Sequence, residues 1–350
     1  MQRTRTTTSI TRRRLGGLAA ATALAGTAWR PARAATGADV ARAKAEGKVM
    51  LYTSLDTKIV DAIIKPFTAQ YGIKVEYYRG GSADVTSKVL AEADAGQVRA
   101  DIVDASDIGA FLAMKQRKLL RAYESPATAT VAANLKDPDG MWVADRLTQA
   151  VIQWNTEKAV PPPAHWKDLA NPRFMGKLAY FSSSNGDGAP RLYTLATAFG
   201  WKLLEQYAAL KPLRLTSPQV MTQIIESGER TAGFLINDNI AWRSKLQGKA
   251  TDYCFPTEGV PTELGAVGLP AAAPHPNAGA LFYDWWMGAA GQALLADGGK
   301  YSSRTDVAPP KGNPPLASLK LIIPDNEKLF TQRADILDRL TSIFGGEWGG

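Results

Sequence analysis

The stretch 48-KVMLYTSLDTKIVDAIIKPFTAQYGIKVEYY-78 sets two short runs of β-branched and aromatic residues on either side of a segment with helical periodicity. VMLYTS reads as a strand. Ile59, Ile63 and Phe67 then recur at the spacing that puts them on one face of a helix, with Gly72 as a helix-terminating glycine. Pro66 inside that segment predicts a bend or an early break. IKVEYY reads as a second strand, and the cycle repeats: SADVTSKVLAEADA is a helix from Ser82, ADIVDAS a strand and DIGAFLAMKQ a helix. Three strand–helix units in succession predict an α/β fold, with a parallel sheet covered by helices on both faces.

Downstream, LTQAVIQWN reads as a strand leaving a first lobe, before the proline run Pro161 to Pro163. KLAYFSSS is a strand running into the loop NGDGAP, SPQVMTQIIESG a helix, TAGFLIN a strand, NIAWRSKLQG a helix and TDYCF a strand. LGAVGLP reads as a returning strand, and NAGALFYDWWMGAAGQALLA as one long helix capped by Asn277. APPKGNPP, residues 308–315, links to a terminal helix, NEKLFTQRADILDRLTSIF, that stops before Gly345. A chain of 350 residues is too long for one ordinary core and suits two lobes.

The N-terminal stretch carries an address. Thr11-Arg12-Arg13-Arg14-Leu15 precedes an apolar run to Trp29, and Ala32-Arg33-Ala34 supplies a small-x-small cleavage pattern. This marks residues 1–34 as a cleavable export signal of the twin-arginine type, with the periplasm as destination. The apolar run is too short to cross a bilayer. The leader holds seven arginines and no acid, so without it the formal net charge of +8 falls to +1. A near-balanced chain with no basic stripe speaks against nucleic acid and anionic membranes as partners. Cys254 is the sole cysteine, which leaves no internal disulfide and no cysteine-cluster metal site.

LYTSLD followed by YGIKV, HWKDLANPRFMGKLA, ESGERTAGFLINDN, APHPNAGALFYDWW and GQALLADGGKYSSRTDV together resemble the bacterial extracytoplasmic solute-binding proteins of ABC importers. The branch is the one that includes ferric-ion, phosphonate, sugar-phosphate and thiamine binders. The resemblance implies a periplasmic-binding-protein type II fold, two α/β lobes joined by a hinge and closing on one ligand. It also implies a cognate ABC permease and ATPase in the inner membrane. The boundaries expected are 35–146 with 262–310 for lobe I, and 147–261 with 311–350 for lobe II. A monomer without cofactor or resident metal is expected.

Open α/β sheets bind ligands beyond the carboxyl ends of their strands, near helix N-termini. Those positions are Ser54 and Asp56 after the first strand, Arg79, Gly81 and Ser82 after the second, and Ser106 and Asp107 after the third. From the other lobe come Ser184, Asn185 and Asp187, then Asn237 and Asp238, with Trp242 on the helix that follows. Tyr301 and Arg304 lie on a segment that, by the resemblance, reaches the cleft. Several have a plain structural reading as well. Ser82, Asp107 and Asn237 read as helix caps, SSSNGDG as a surface turn, Arg304 as the ion-pair partner of Asp306, and Trp285 and Trp286 as core.

The Gly-Ser loops with Arg79, Arg191 and Arg304 suit a small polar, anionic organic solute bearing phosphate, phosphonate or carboxylate. Ferric ion is the alternative ligand. It needs hard anionic oxygen donors, yet the region where iron-binding relatives carry adjacent tyrosines reads NDNIAWR. Tyr77-Tyr78 is the one adjacent pair, and in a strand its side chains point to opposite faces. An exported hydrolase is the third class considered. The sequence has no G-x-S-x-G, H-E-x-x-H or P-loop motif, and its two histidines, His165 and His275, sit at element boundaries close to prolines.

Overall fold

The structure, a computed structural model, describes residues 35–182 and 188–346. The export-signal reading of residues 1–34 and the candidates Ser184, Asn185 and Asp187 lie outside the described residues.

After β1 (Ala35–Thr36) and α1 (Val40–Glu46), the three expected units follow: β2 (Lys48–Thr53) with α2 (Thr57–Tyr71), β3 (Lys74–Arg79) with α3 (Ser82–Asp94), and β4 (Ile102–Ala105) with α4 (Ile108–Gln116). Short strands β5 (Leu120–Arg121) and β6 (Tyr123–Glu124) lead to the long β7 (Trp142–Asn155). Next come β8 (Leu178–Phe181), α5 (Ala189–Phe199), α6 (Trp201–Ala209), β9 (Leu213–Leu215), α7 (Pro218–Glu226), β10 (Ala232–Asn237), α8 (Asp238–Leu246) and β11 (Thr251–Cys254). The chain returns along β12 (Val260–Pro270), α9 (Pro276–Met287), α10 (Ala289–Asp297) and β13 (Tyr301–Ser302). It continues through β14 (Leu321–Ile322), α11 (Asn326–Thr331) and α12 (Arg333–Phe344).

The main sheet runs β3-β2-β4-β12-β7-β10-β8-β9. Its two outer parts are parallel, β3-β2-β4 and β10-β8-β9, as the strand–helix alternation predicts. The central pair β12–β7 is antiparallel and joins them. Buried apolar side chains gather in two large clusters. One holds Leu51, Ile63, Phe67, Val103, Phe111, Leu147, Leu264 and Phe282; the other holds Ala150, Ile152, Leu178, Leu204, Tyr207 and Phe234. A smaller third group, with Val151, Met221, Ile225 and Ile236, lies under α7 and α8. The strand β7 therefore contributes to each cluster in turn.

In α2, Ile59, Val60, Ile63 and Phe67 are buried on one face. The helix stops where Gly72 turns left-handed (φ 71°) and its N–H donates to the Thr68 carbonyl at 2.9 Å. Pro66 does not break it; the helix runs on to Tyr71. The long helix expected after residue 276 is instead two, α9 and α10, because Gly288 is extended (φ −68°, ψ 160°). Asn277 is not its cap. His275 takes that position, while the Asn277 amide donates to Glu46 Oε1 at 2.6 Å. The terminal helix is likewise two, α11 and α12, parted at Gln332 (φ −109°, ψ 20°). Helices α5 and α6 have no counterpart in the sequence reading. The strand read from Leu147 starts five positions earlier, at Trp142, so Asp145 and Arg146 belong to the sheet.

Candidate functional site

That earlier start places a charged pair under the strand ends. Arg146 is 2 % exposed, and its guanidinium ties together three elements. Nη1 meets Asp104 at the end of β4 and both carboxylate oxygens of Asp145 at 2.9 Å. Nη2 donates to Ser54 Oγ at 3.0 Å and to Ser106 Oγ at 2.9 Å. Burial pushes the Asp145 carboxyl up to about 7 despite Arg146 beside it. Burial also acts against the charged guanidinium, but Asp104 and Asp145 hold its pKa above the ordinary value.

The third hydroxyl joins through the backbone. Ser106 N–H donates to Ser82 Oγ at 3.0 Å. Ser54, Ser82 and Ser106 therefore each accept a hydrogen bond from the protein, and among the described residues none of the three donates one. A hydroxyl has one proton and two lone pairs. Each oxygen accepts one bond, so its O–H proton is free to point outward, where Ser106 is exposed and Ser54 and Ser82 are partly buried. Chemically this is an arrangement of donors, suited to acceptor oxygens.

Across the β12–β7 pair stands a second buried arginine. Arg191, on α5, donates to Asn237 Oδ1 at 2.5 Å, to the Leu235 carbonyl at 3.2 Å and to Glu263 on β12. β10 is irregular here: its register shifts between Gly233 and Ile236, and Leu235 has φ 61°. That bulge turns the Leu235 carbonyl and Asn237 toward the arginine. Asp238 is fully buried, with one oxygen accepting from Gln149 N–H at 3.2 Å and the other without a partner. Burial pushes its carboxyl up to about 7. Lys300 donates to Asn239 Oδ1 at 3.0 Å. Burial first and then Arg146 push its ammonium down to about 8, with Asp238 and Asp56 opposing. Arg146, Lys300, Glu263 and Gln149 were not singled out from sequence.

The other candidates are more dispersed. Asp56 stands at the N-terminus of α2, 3.5 Å from Arg243 on α8. Arg79 is exposed, and its Nε approaches the Leu55 carbonyl at 3.4 Å. Gly81 precedes α3 and donates to Asp84 at 3.1 Å. Asp107 caps α4 through Ala110 N–H at 3.1 Å, as its plain structural reading has it. Trp242 lies over Gly299 and donates to the Lys311 carbonyl at 2.8 Å. Tyr301 is buried, its hydroxyl on the Pro314 carbonyl at 2.8 Å. Arg304 pairs with Asp306 at 2.7 Å and lines a separate cavity of 560 Å³. Beside Ser106 and Asp107 opens a cavity of 350 Å³.

Tyr77 and Tyr78 do diverge. Tyr77 meets Asp61 at 3.2 Å, whereas the Tyr78 ring packs edge-on against Tyr52. Among the described residues no group of three or more His, Cys, Asp or Glu side chains is placed to hold a metal ion.

Residues 48–299 match the family model for bacterial extracellular solute-binding proteins. The chain belongs to this family. An uncharacterized protein of Haemophilus influenzae is 26% identical over 269 residues, covering 72% of this chain and 76% of its own. Iron-bound HitA from Pseudomonas aeruginosa superposes with a TM-score of 0.72 at 19% identity, covering 85% of this chain and 99% of that one. The periplasmic binding protein AfuA from Actinobacillus pleuropneumoniae, with fructose-6-phosphate bound, gives 0.72 at 21% identity, over 85% and 98%. The fold is thus the periplasmic-binding-protein type II fold that the sequence resemblance implied. Family and fold are those of substrate-binding transport proteins, which are not enzymes. Among the described residues no helix is long and apolar enough to cross a membrane.

Proposed function

We propose that this solute-binding protein is the capture component of an ABC importer and takes a small organic oxyanion, bearing phosphate, phosphonate or carboxylate. The observation that carries the reading is the trio Ser54, Ser82 and Ser106, whose oxygens accept from the protein while their protons stay free. Arg146 supplies positive charge behind them but is already neutralised by Asp104 and Asp145. The hydroxyls therefore meet the ligand directly. In this reading the ligand docks first on the strand ends of lobe I (35–146 with 262–310). Lobe II (147–261 with 311–350) then closes by rotation about β7 and β12, and the closed form is what the permease and its ATPase accept. Export through a twin-arginine leader would deliver the protein to the periplasm already folded.

The test is titration calorimetry with thermal shift on the purified chain, using methylphosphonate, acetate and ferric citrate. Saturable one-to-one binding of an oxyanion, with no chemical change in it, is expected. Ser54→Ala and Ser106→Ala should each weaken it about tenfold, the scale of one hydrogen bond to a charged group. Ferric binding indifferent to both substitutions would overturn the oxyanion reading in favour of iron.

A further inference from the structure

We infer that the solute carries an apolar body beyond its oxyanion, and that the C-terminal helices α11 and α12 help to enclose it. This rests on the oxyanion reading above. Ser106, one of the three outward donors, also lines the 350 Å³ cavity, so a ligand oxygen held there leaves the rest of its molecule beside that cavity. Much of its wall is apolar, with Leu90 on α3, Ile108 and Ala113 on α4, Leu329 and Phe330 on α11, and Leu337 on α12. A volume of this size falls within the ~300–1,000 Å³ usual for small-molecule sites.

The lining also holds the polar side chains Thr86, Asp107, Glu263, Asn326 and Arg333, and most of them are engaged within the protein. Thr86 turns its hydroxyl back to the carbonyls of Ser82 and Ala83, at 3.0 Å and 3.1 Å. Asp107 caps α4, and Glu263 is paired with Arg191. A sugar body would bring several hydroxyls against a wall that is largely apolar or already engaged and leave most of them unpaired, which opposes binding. An aryl or short alkyl group needs no such partners and gains affinity by leaving water, about fourfold for each buried methylene. The enclosing helices come from the C-terminal stretch that follows the last strand, β14. α11 packs on α4, whereas α12 packs on α5 and α6, so the two helices bridge the elements on either side of the cavity.

The inference is tested by calorimetry on the full chain with three probes: phenylphosphonate, methylphosphonate and glucose 6-phosphate. Phenylphosphonate should bind at least about tenfold tighter than methylphosphonate, the equivalent of roughly two buried methylenes. Ala113→Leu, which fills the cavity, and Phe330→Ser, which strips its wall, should erase that preference and leave methylphosphonate affinity within about twofold. Thermal melts of both variants check that they fold. Equal affinity for the two phosphonates, or tightest binding of glucose 6-phosphate, overturns the apolar body while the oxyanion reading stands. Binding of none of the three, with acetate and benzoate also failing to bind, overturns both.

Discussion

The side chain of Arg146 lies flat across Gly265 on the neighbouring strand: a Cβ built on Gly265 would stand 2.5 Å from Arg146 Cζ and 2.6 Å from its Cγ. The two residues are register partners in the β7–β12 pair, at the point where the pairing shifts by a bulge. Gly265→Ala therefore pushes the stem of a buried arginine, not a loose tip, and pulls its fork from Ser54 and Ser106. A loss of about 1–3 kcal/mol is expected, the usual range for overpacking. Urea unfolding measures it, and a variant as stable as the parent would contradict the close approach.

Removing the cation itself should cost more. Arg146→Met leaves Asp104 and Asp145 buried without their partner, both fully enclosed, and breaking a buried pair from one side costs about 3–5 kcal/mol. Adding Asp104→Asn and Asp145→Asn should restore much of that stability without restoring oxyanion affinity. Chemical denaturation of the single and triple variants, with calorimetry, separates the two effects. Equal stability of the single and triple variants would show that the pairing contributes little.

Asp238 predicts a pH dependence. Burial, only partly offset by Lys300 and the Asn239 N–H, pushes this carboxyl up to about 7. The folded chain then keeps a proton that the unfolded chain has already lost. Its contribution is full below about pH 4 and fades as pH rises toward about 7, by at most about 4 kcal/mol. Asp238→Asn stays neutral throughout, so its stability relative to the parent should climb across that interval and level off above it. Denaturation series at several pH values follow the difference, and a falling difference would be the wrong sign.

The ion pair Arg243–Asp56 is a weaker contact. Its atoms are 3.5 Å apart and the side chains 48% and 40% exposed, so solvent screens it. Arg243→Gln should change unfolding free energy by about 1 kcal/mol or less. A thermal shift well beyond that would make the pair a structural clamp between α2 and α8.

Much of the molecule was decided locally. Ile59, Ile63 and Phe67 repeat with a helix's period, and Gly72 ends that helix because only a residue without a Cβ enters the left-handed region cheaply. The strand–helix alternation follows from such patterns, and so does the location of Ser54, Ser82 and Ser106 just past strand ends. Other features depended on partners far along the chain. Arg146 is buried because Asp104, 42 residues away, neutralises it and Gly265 makes room for it. Local sequence marks an arginine as solvent-facing, and of the residues that enclose and neutralise it only Asp145 is adjacent in the chain. The same holds for Arg191 with Glu263, 72 residues apart. The helix breaks at Gly288 and Gln332 also belong to tertiary structure, since apolar periodicity continues across both. Local pattern therefore fixes which loops follow strand ends, whereas the charges beneath them follow from packing, because burying a charge is settled by long-range pairing.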